Sequence, residues 1–183
     1  MGVQKNASYK VHNGVDFDEI NFKTIASQVK TANGSDVEVQ LADLVNQPAV
    51  RVYNTNDVSI ASEINTLLTF NSETFDTANM FSGGLNTRLT CVKPGTYLII
   101  AYVRWLQNGT GMRELKIFLN GSTNNEIGGV TSGALAGTVR QNVATLYKLN
   151  VNDYIEAKVY QNSGASVSIM GSFTGFMAIR VGD

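Results

Sequence analysis

The run from Tyr97 to Leu106 is apolar on both faces of an extended strand, and it limits the possible folds more than any other stretch of the chain. Residues two apart share a face of a strand. Tyr97, Ile99, Ala101, Val103 and Trp105 therefore lie on one side and Leu98, Ile100, Tyr102 and Leu106 on the other, with Arg104 the only charge. A strand in a two-layer sandwich buries one face in the core, so the second face needs another cover, most simply a second copy of the chain. Just before this run, Pro94-Gly95 reads as a turn. Proline presets φ at the first corner and glycine accepts the positive φ that a type II turn needs at the second.

The strand signal continues on both sides. Val50 and Val52 alternate with Arg51 and Tyr53; Leu115, Ile117 and Leu119 alternate with Glu114, Lys116 and Phe118; Ile155, Ala157 and Val159 alternate with Glu156, Lys158 and Tyr160. Val143, Leu146 and Leu149 mark a further strand, and Met177, Ile179 and Val181 the last. Turn signals fall at Asn108-Gly109, Asn120-Gly121, Asn152-Asp153 and Asn162-Ser163-Gly164, a spacing that predicts an antiparallel sandwich of the jelly-roll type. Ser122 to Gly137, rich in Gly, Ser, Thr and Ala, reads as a long loop, and Glu114 and Glu156 as solvent-facing strand residues. The segment before Gln47 differs. It holds only spaced apolar anchors, among them Val15, Phe17, Ile20, Ile25 and Val29, with turns at Asn13-Gly14 and Asn33-Gly34-Ser35-Asp36. Val37, Val39, Leu41 and Leu44 fit either a short strand or a helical turn. The division expected is a small extended stem over residues 1–46 and one sandwich over 47–183.

Charge and chemistry exclude several functions. The 14 Lys+Arg and 15 Asp+Glu are scattered, without the concentrated positive charge of a nucleic-acid surface. Polar residues follow Met1 and no apolar run is long enough to span a bilayer, so neither a secretory signal nor membrane insertion is expected. The one cysteine, Cys91, lies in a strand pattern and the one histidine, His12, in the stem, so a Cys-His nucleophile is not expected and Cys91 reads as packing. One Cys and one His make no zinc site, no Asp-x-Asp-x-Asp calcium run occurs, and no glycine loop for phosphate precedes a lysine and helix. Carboxylates that could pair for glycoside hydrolysis are Glu63, Glu73, Asp76, Glu114, Glu126, Asp153 and Glu156, but most have a plainer place, Glu114 and Glu156 on solvent-facing strand positions and Asp153 in a turn. No catalytic residue, metal or cofactor is expected.

The sandwich region resembles the globular head of complement component one-q, a trimeric TNF-like jelly roll. The likeness rests on Leu68-Thr69-Phe70-Asn71, Thr90-Cys91-Val92-Lys93-Pro94-Gly95-Thr96-Tyr97, Phe118-Leu119-Asn120-Gly121, Leu149-Asn150-Val151-Asn152-Asp153 and Phe173-Thr174-Gly175-Phe176. Asn152 stands where that family usually has glycine, and asparagine tolerates the positive φ required there. Phe75-Asp76-Thr77-Ala78-Asn79-Met80-Phe81 and the stem residues around Tyr9 and Phe17 are similar to the version of this domain at the tips of phage tail fibres.

The resemblance implies a non-enzymatic homotrimeric receptor-binding head on a virion. It would attach to a host cell-surface glycan or cell-wall polymer and join other tail or baseplate proteins through the stem. A purely structural trimerisation or decoration domain is the alternative. Tyr97, Tyr102, Phe173 and Phe176 are the expected trimer contacts. If strands alternate from a stem at the base, the distal loops fall near Asn54 to Asp57, Lys93 to Gly95, Gly121 to Gly137 and Asn162 to Ser166. Their polar side chains suit sugar hydroxyls, which makes Asn54, Asn56, Asp57, Asn124, Asn125, Glu126, Thr131, Ser132, Asn162 and Ser163 the expected ligand contacts.

Overall fold

A computed structural model describes residues 7–12, 17–22, 30, 32, 34 and 36–183. The chain divides into two compact units, Met1–Asn46 and Gln47–Asp183. In the first, β1 (Ala7–His12) and β2 (Phe17–Phe22) pair antiparallel, and α1 (Val37–Val45) resolves the strand-or-helix choice in favour of helix. The expected turn at Asn13-Gly14 and the anchors Val15, Ile25 and Val29 lie outside the described residues, as do Asn33 and Ser35 of the second turn.

The second unit runs β3 (Ala49–Tyr53), β4 (Val58–Ile60), β5 (Thr66–Leu67), β6 (Ser72–Asp76), β7 (Arg88–Thr90), β8 (Gly95–Trp105) and β9 (Met112–Leu119). It closes with β10 (Glu126–Gly133), β11 (Val139–Leu149), β12 (Tyr154–Gln161), β13 (Val167–Ile169) and β14 (Gly175–Gly182). One sheet has the order β4-β13-β8-β14-β3-β6, with β11 also on β8; the other has the order β10-β9-β12-β5, with β7 also on β12. Every pairing in these two sheets is antiparallel.

The doubly apolar run becomes β8, the strand that β11 and β14 flank. Its burial alternates along the full length, with Tyr97, Ile99, Ala101, Val103 and Trp105 sealed in the core. Leu115, Ile117, Ile155, Ala157 and Val159 meet them from the opposing sheet, and Phe70 stacks on Phe176 with ring centroids 5.9 Å apart. Removing one such side chain from water contributes roughly 1.5–3 kcal/mol, so the two inner faces account for the closure of the sandwich.

Three expectations need correction. Gly95 has φ 148°, not the value near +80° of a type II turn, and a side chain there would strike Gly182 O and Arg180 Nε. Ser122 to Gly137 is no loop, because β10 fills its centre. A Cβ at Gly128 would come within 3.2 Å of Val143 Cγ2, so a small residue lets β10 lie this close to β11. Glu156 is buried, set cross-strand between Phe118 and Arg88. Asn152 takes the glycine-like conformation inferred for it, with φ 71°.

Candidate binding surfaces

Strand register places most of the strand connections at one of two ends. Tyr53 and Tyr102 both face Gly175, Trp105 faces Val139, and Arg113 faces Gln161. Segments 54–57, 106–111, 134–138, 162–166 and 170–174 therefore gather at one end, here the far end. Gln47, the first residue of the sandwich, lies at the other with segments 91–94, 120–125 and 150–153; Arg180 joins several of these by donating from Nη1 to Gln47 Oε1 and from Nε to Pro94 O.

This arrangement divides the expected ligand residues. Asn54, Asn56, Asp57, Asn162 and Ser163 are at the far end, whereas Lys93 to Gly95 and exposed Asn124 and Asn125 are at the near end. Glu126 opens β10 and pairs with Lys116, while Thr131 and Ser132 lie along the same strand. Several of these side chains are occupied in holding loops. Asn54, 6% exposed, donates to Thr69 O and accepts from Asn56 N; Asp57 Oδ1 accepts from Gly171 N; Asn162 Oδ1 accepts from Met112 N; Ser132 Oγ accepts from Gln141 Nε2. The ten residues form no single surface.

The expected trimer contacts divide as well. Tyr97 and Phe176 are 0% exposed within the single chain, and Tyr97 donates to Lys93 O. Side chains already filling the core have no surface left for a partner. Tyr102 and Phe173 do face outward.

The outward face of the larger sheet carries an apolar band. Leu98 stands opposite Leu146 on one neighbouring strand and Ile179 on the other, and Ile100 opposite Ala144 and Met177. Leu146 is 62% exposed and Ile179 43%, although residues directly opposite in a sheet share a face and form a continuous patch. Arg51, Arg104, Arg140 and Lys148 share this face. Towards the far end Tyr102 accepts a hydrogen bond from Arg51 Nη2 at 3.2 Å, and beyond it Arg104 and Arg140 stand opposite each other.

Phe173 reaches the same place from a tightly held turn. Residues 171–173 form a single 3-10 turn, its first N–H held by Asp57, while Thr174 Oγ1 donates to Met170 O. The guanidinium carbons of Arg104 and Arg140 lie 4.9 and 5.4 Å from the centre of the Phe173 ring.

Two buried residues escaped the sequence reading. Arg113 is 1% exposed, with its guanidinium 5.5 Å from the Trp105 ring and its Nη atoms donating to Asn108, Thr110 and Met112 carbonyls. Gln141 bonds the Trp105 indole. Arg113 sits in phase with Leu115 and Ile117, so the alternation did mark it as inward-facing. Cys91 is buried and donates to Lys93 O at 3.0 Å; loss of solvent raises its thiol pKa, as it does that of the Tyr97 phenol. Among the described residues no group of three or more metal-ligating side chains occurs.

The second unit, Gln47–Asp183, has the TNF-like jelly-roll fold, an antiparallel β-sandwich. No protein-family model matches the chain, and no curated protein does. Among solved structures, murine APRIL aligns with a TM-score of 0.58 at 13% identity, over 74% of this chain and 99% of that one. The globular domain of zebrafish complement 1qA aligns with a TM-score of 0.51 at 16% identity, over 73% of this chain and 97% of that one. At these identities the likeness establishes the fold.

Proposed function

We propose that the chain is a homotrimeric, non-enzymatic receptor-binding head of a virion, of the kind carried at a phage tail-fibre tip, and that it attaches to a host surface polysaccharide. The observation that carries this reading is the apolar band of Leu98, Ile100, Leu146, Met177 and Ile179, of which a lone chain leaves Leu146 and Ile179 exposed and the other three half-buried. Packing three copies about this face buries the band, and at about 25 cal/mol per Å² moderate burial per chain offsets the cost of association. Three heads on one particle then gain avidity from sites that are individually weak.

Sedimentation of the full chain at micromolar concentration tests the assembly: the expected mass is three times the 19.8 kDa of one chain, and a stable monomer overturns it. A pull-down on host cells tests attachment. A trimer that binds no host surface supports instead the structural reading, a domain that only registers a fibre.

A further inference from the structure

At the far end of the sandwich, Arg104 on β8 and Arg140 on β11 are direct cross-strand partners. Like charges so placed destabilise a sheet. Neither guanidinium forms an ion pair with a described carboxylate, and Arg104 Nε, shielded from solvent, has no hydrogen-bond acceptor among the described residues. Both guanidiniums instead flank one ring, that of Phe173, which the 171–173 turn holds in place. The pair lines a groove of about 290 Å³ with Tyr102, Asn142 and Phe173. That volume is at the lower limit for ligand pockets, roughly 300 Å³, and suits one sugar ring rather than a long segment of polymer.

We propose that Arg104 and Arg140, braced on Phe173, bind the carboxylate of an acidic sugar. Two forked donors side by side match the planar, bidentate acceptor geometry of a carboxylate, and its charge relieves the repulsion between them. The groove supplies a second kind of contact. The Asn142 amide and the Tyr102 hydroxyl, both near the arginines, offer donors and acceptors for ring hydroxyls, which a bare inorganic anion would not use. Gln141 takes no part, since its amide is committed to Trp105, Arg113 O and Ser132. This assignment rests on the reading of the chain as a ligand-binding head and names the chemical class of its ligand, a uronic-acid polymer.

The test is calorimetric titration of the full chain with trigalacturonate, triglucuronate and their carboxyl-reduced, neutral counterparts. Saturable binding of at least one acidic trisaccharide is expected, with none to the reduced forms. Arg104→Gln and Arg140→Gln should each weaken binding by about tenfold or more. Arg140→Lys, which keeps the charge but loses the fork, should fall between, and Lys148→Gln should bind as the parent does. Melting curves and sedimentation of each variant confirm that fold and assembly are intact.

Failure of both acidic trisaccharides to bind overturns the proposal, as does equal binding of the neutral forms. If both glutamine variants instead break the assembly and no uronate binds, the pair is a contact between copies and the proposal is wrong. A chain that attaches to host cells equally well with and without the two arginines loses only this assignment. One that binds neither cells nor uronates loses the attachment reading too.

Discussion

The Trp105 indole N–H donates to Gln141 Oε1 at 2.9 Å, with both residues buried, and Gln141 passes the connection on by donating to Arg113 O at 2.8 Å and to Ser132 Oγ at 3.0 Å. One amide thereby joins β8 and β11 of one sheet to β9 and β10 of the other. Gln141→Leu keeps much of the volume but leaves the buried indole N–H without its acceptor. A buried polar group left unpaired costs about 1–3 kcal/mol, and a loss of that size is expected. Urea unfolding followed by the fluorescence of Trp105, the one tryptophan, measures it directly; a change below about 0.5 kcal/mol would show that water replaces the amide.

Gly175, in the closing Phe173-Thr174-Gly175-Phe176 motif, is fixed by Tyr102. A Cβ built on Gly175 would overlap the Tyr102 hydroxyl and come within 2.5 Å of Cζ. Gly175→Ala must therefore push the phenol off the sheet, at a cost of about 1–3 kcal/mol for overpacking, and break its hydrogen bond with Arg51. Paired with Tyr102→Ala, which removes the obstruction, Gly175→Ala should become nearly neutral. A double-mutant cycle with no coupling between the two positions would refute the steric account.

Cys91 is 1% exposed, hydrogen-bonded to Lys93 O, and its thiol pKa is pushed up by burial. Its modification by a thiol reagent at pH 8 should be at least roughly 10²-fold slower in the native chain than in urea, because reaction waits for opening of the near-end loops. Rapid native labelling would mean that this end opens freely.

The doubly apolar strand was legible because alternation alone settles which side chains of β8 share a face. The core side of β8 followed directly, and the exposed side became the apolar band. Loop placement was not legible. Counting alternate strands ignored the short β4, β5, β6 and β7, which the sequence marks weakly, and so grouped Lys93 to Gly95 with loops that lie at the opposite end of the sandwich. β10 was hidden for a different reason. Its Gly128-Gly129 pair is a close-packing requirement beside Val143 and Lys116, whereas glycine in a sequence ordinarily reads as a turn. Phe173 looked like an apolar trimer contact, and nothing local in the chain announces that Arg104 and Arg140, 36 residues apart, converge on it.

Leu146 and Ile179 separate assembly from folding. Leu146 is 62% and Ile179 43% exposed on the single chain, so Leu146→Glu or Ile179→Glu should change its unfolding free energy by no more than about 1 kcal/mol. In a trimer closed over the apolar band, three carboxylates would be desolvated among the apolar side chains of the seam, and association should fail. Monomer by sedimentation, with the circular dichroism of the parent, is the expected result. A variant that remains trimeric places the seam elsewhere.

Asp153 ties the near-end turns together through charge, which gives the fold an acid limit. Oδ1 accepts from the Asn120 side-chain amide at 2.8 Å and Oδ2 from Asn150 N at 2.7 Å, while its backbone carbonyl accepts from Cys91 N. The Asn120 amide, followed by the Asn150 N–H, holds the carboxyl pKa below its ordinary value of 3.8. The folded chain thus releases this proton more readily than the unfolded chain. The stabilisation is complete above the unfolded value and is lost as pH falls through the folded one. Asp153→Asn offers one acceptor oxygen where two donors converge, and turns its NH₂ towards the other. At pH 7 it should cost about 1–2 kcal/mol. The difference from the parent should hold down to about pH 5 and shrink steadily below about pH 4, since the parent then loses the same charge. Denaturant titrations across this range provide the measurement. A gap that stays constant down to pH 2 would assign the loss to turn geometry and not to the carboxylate.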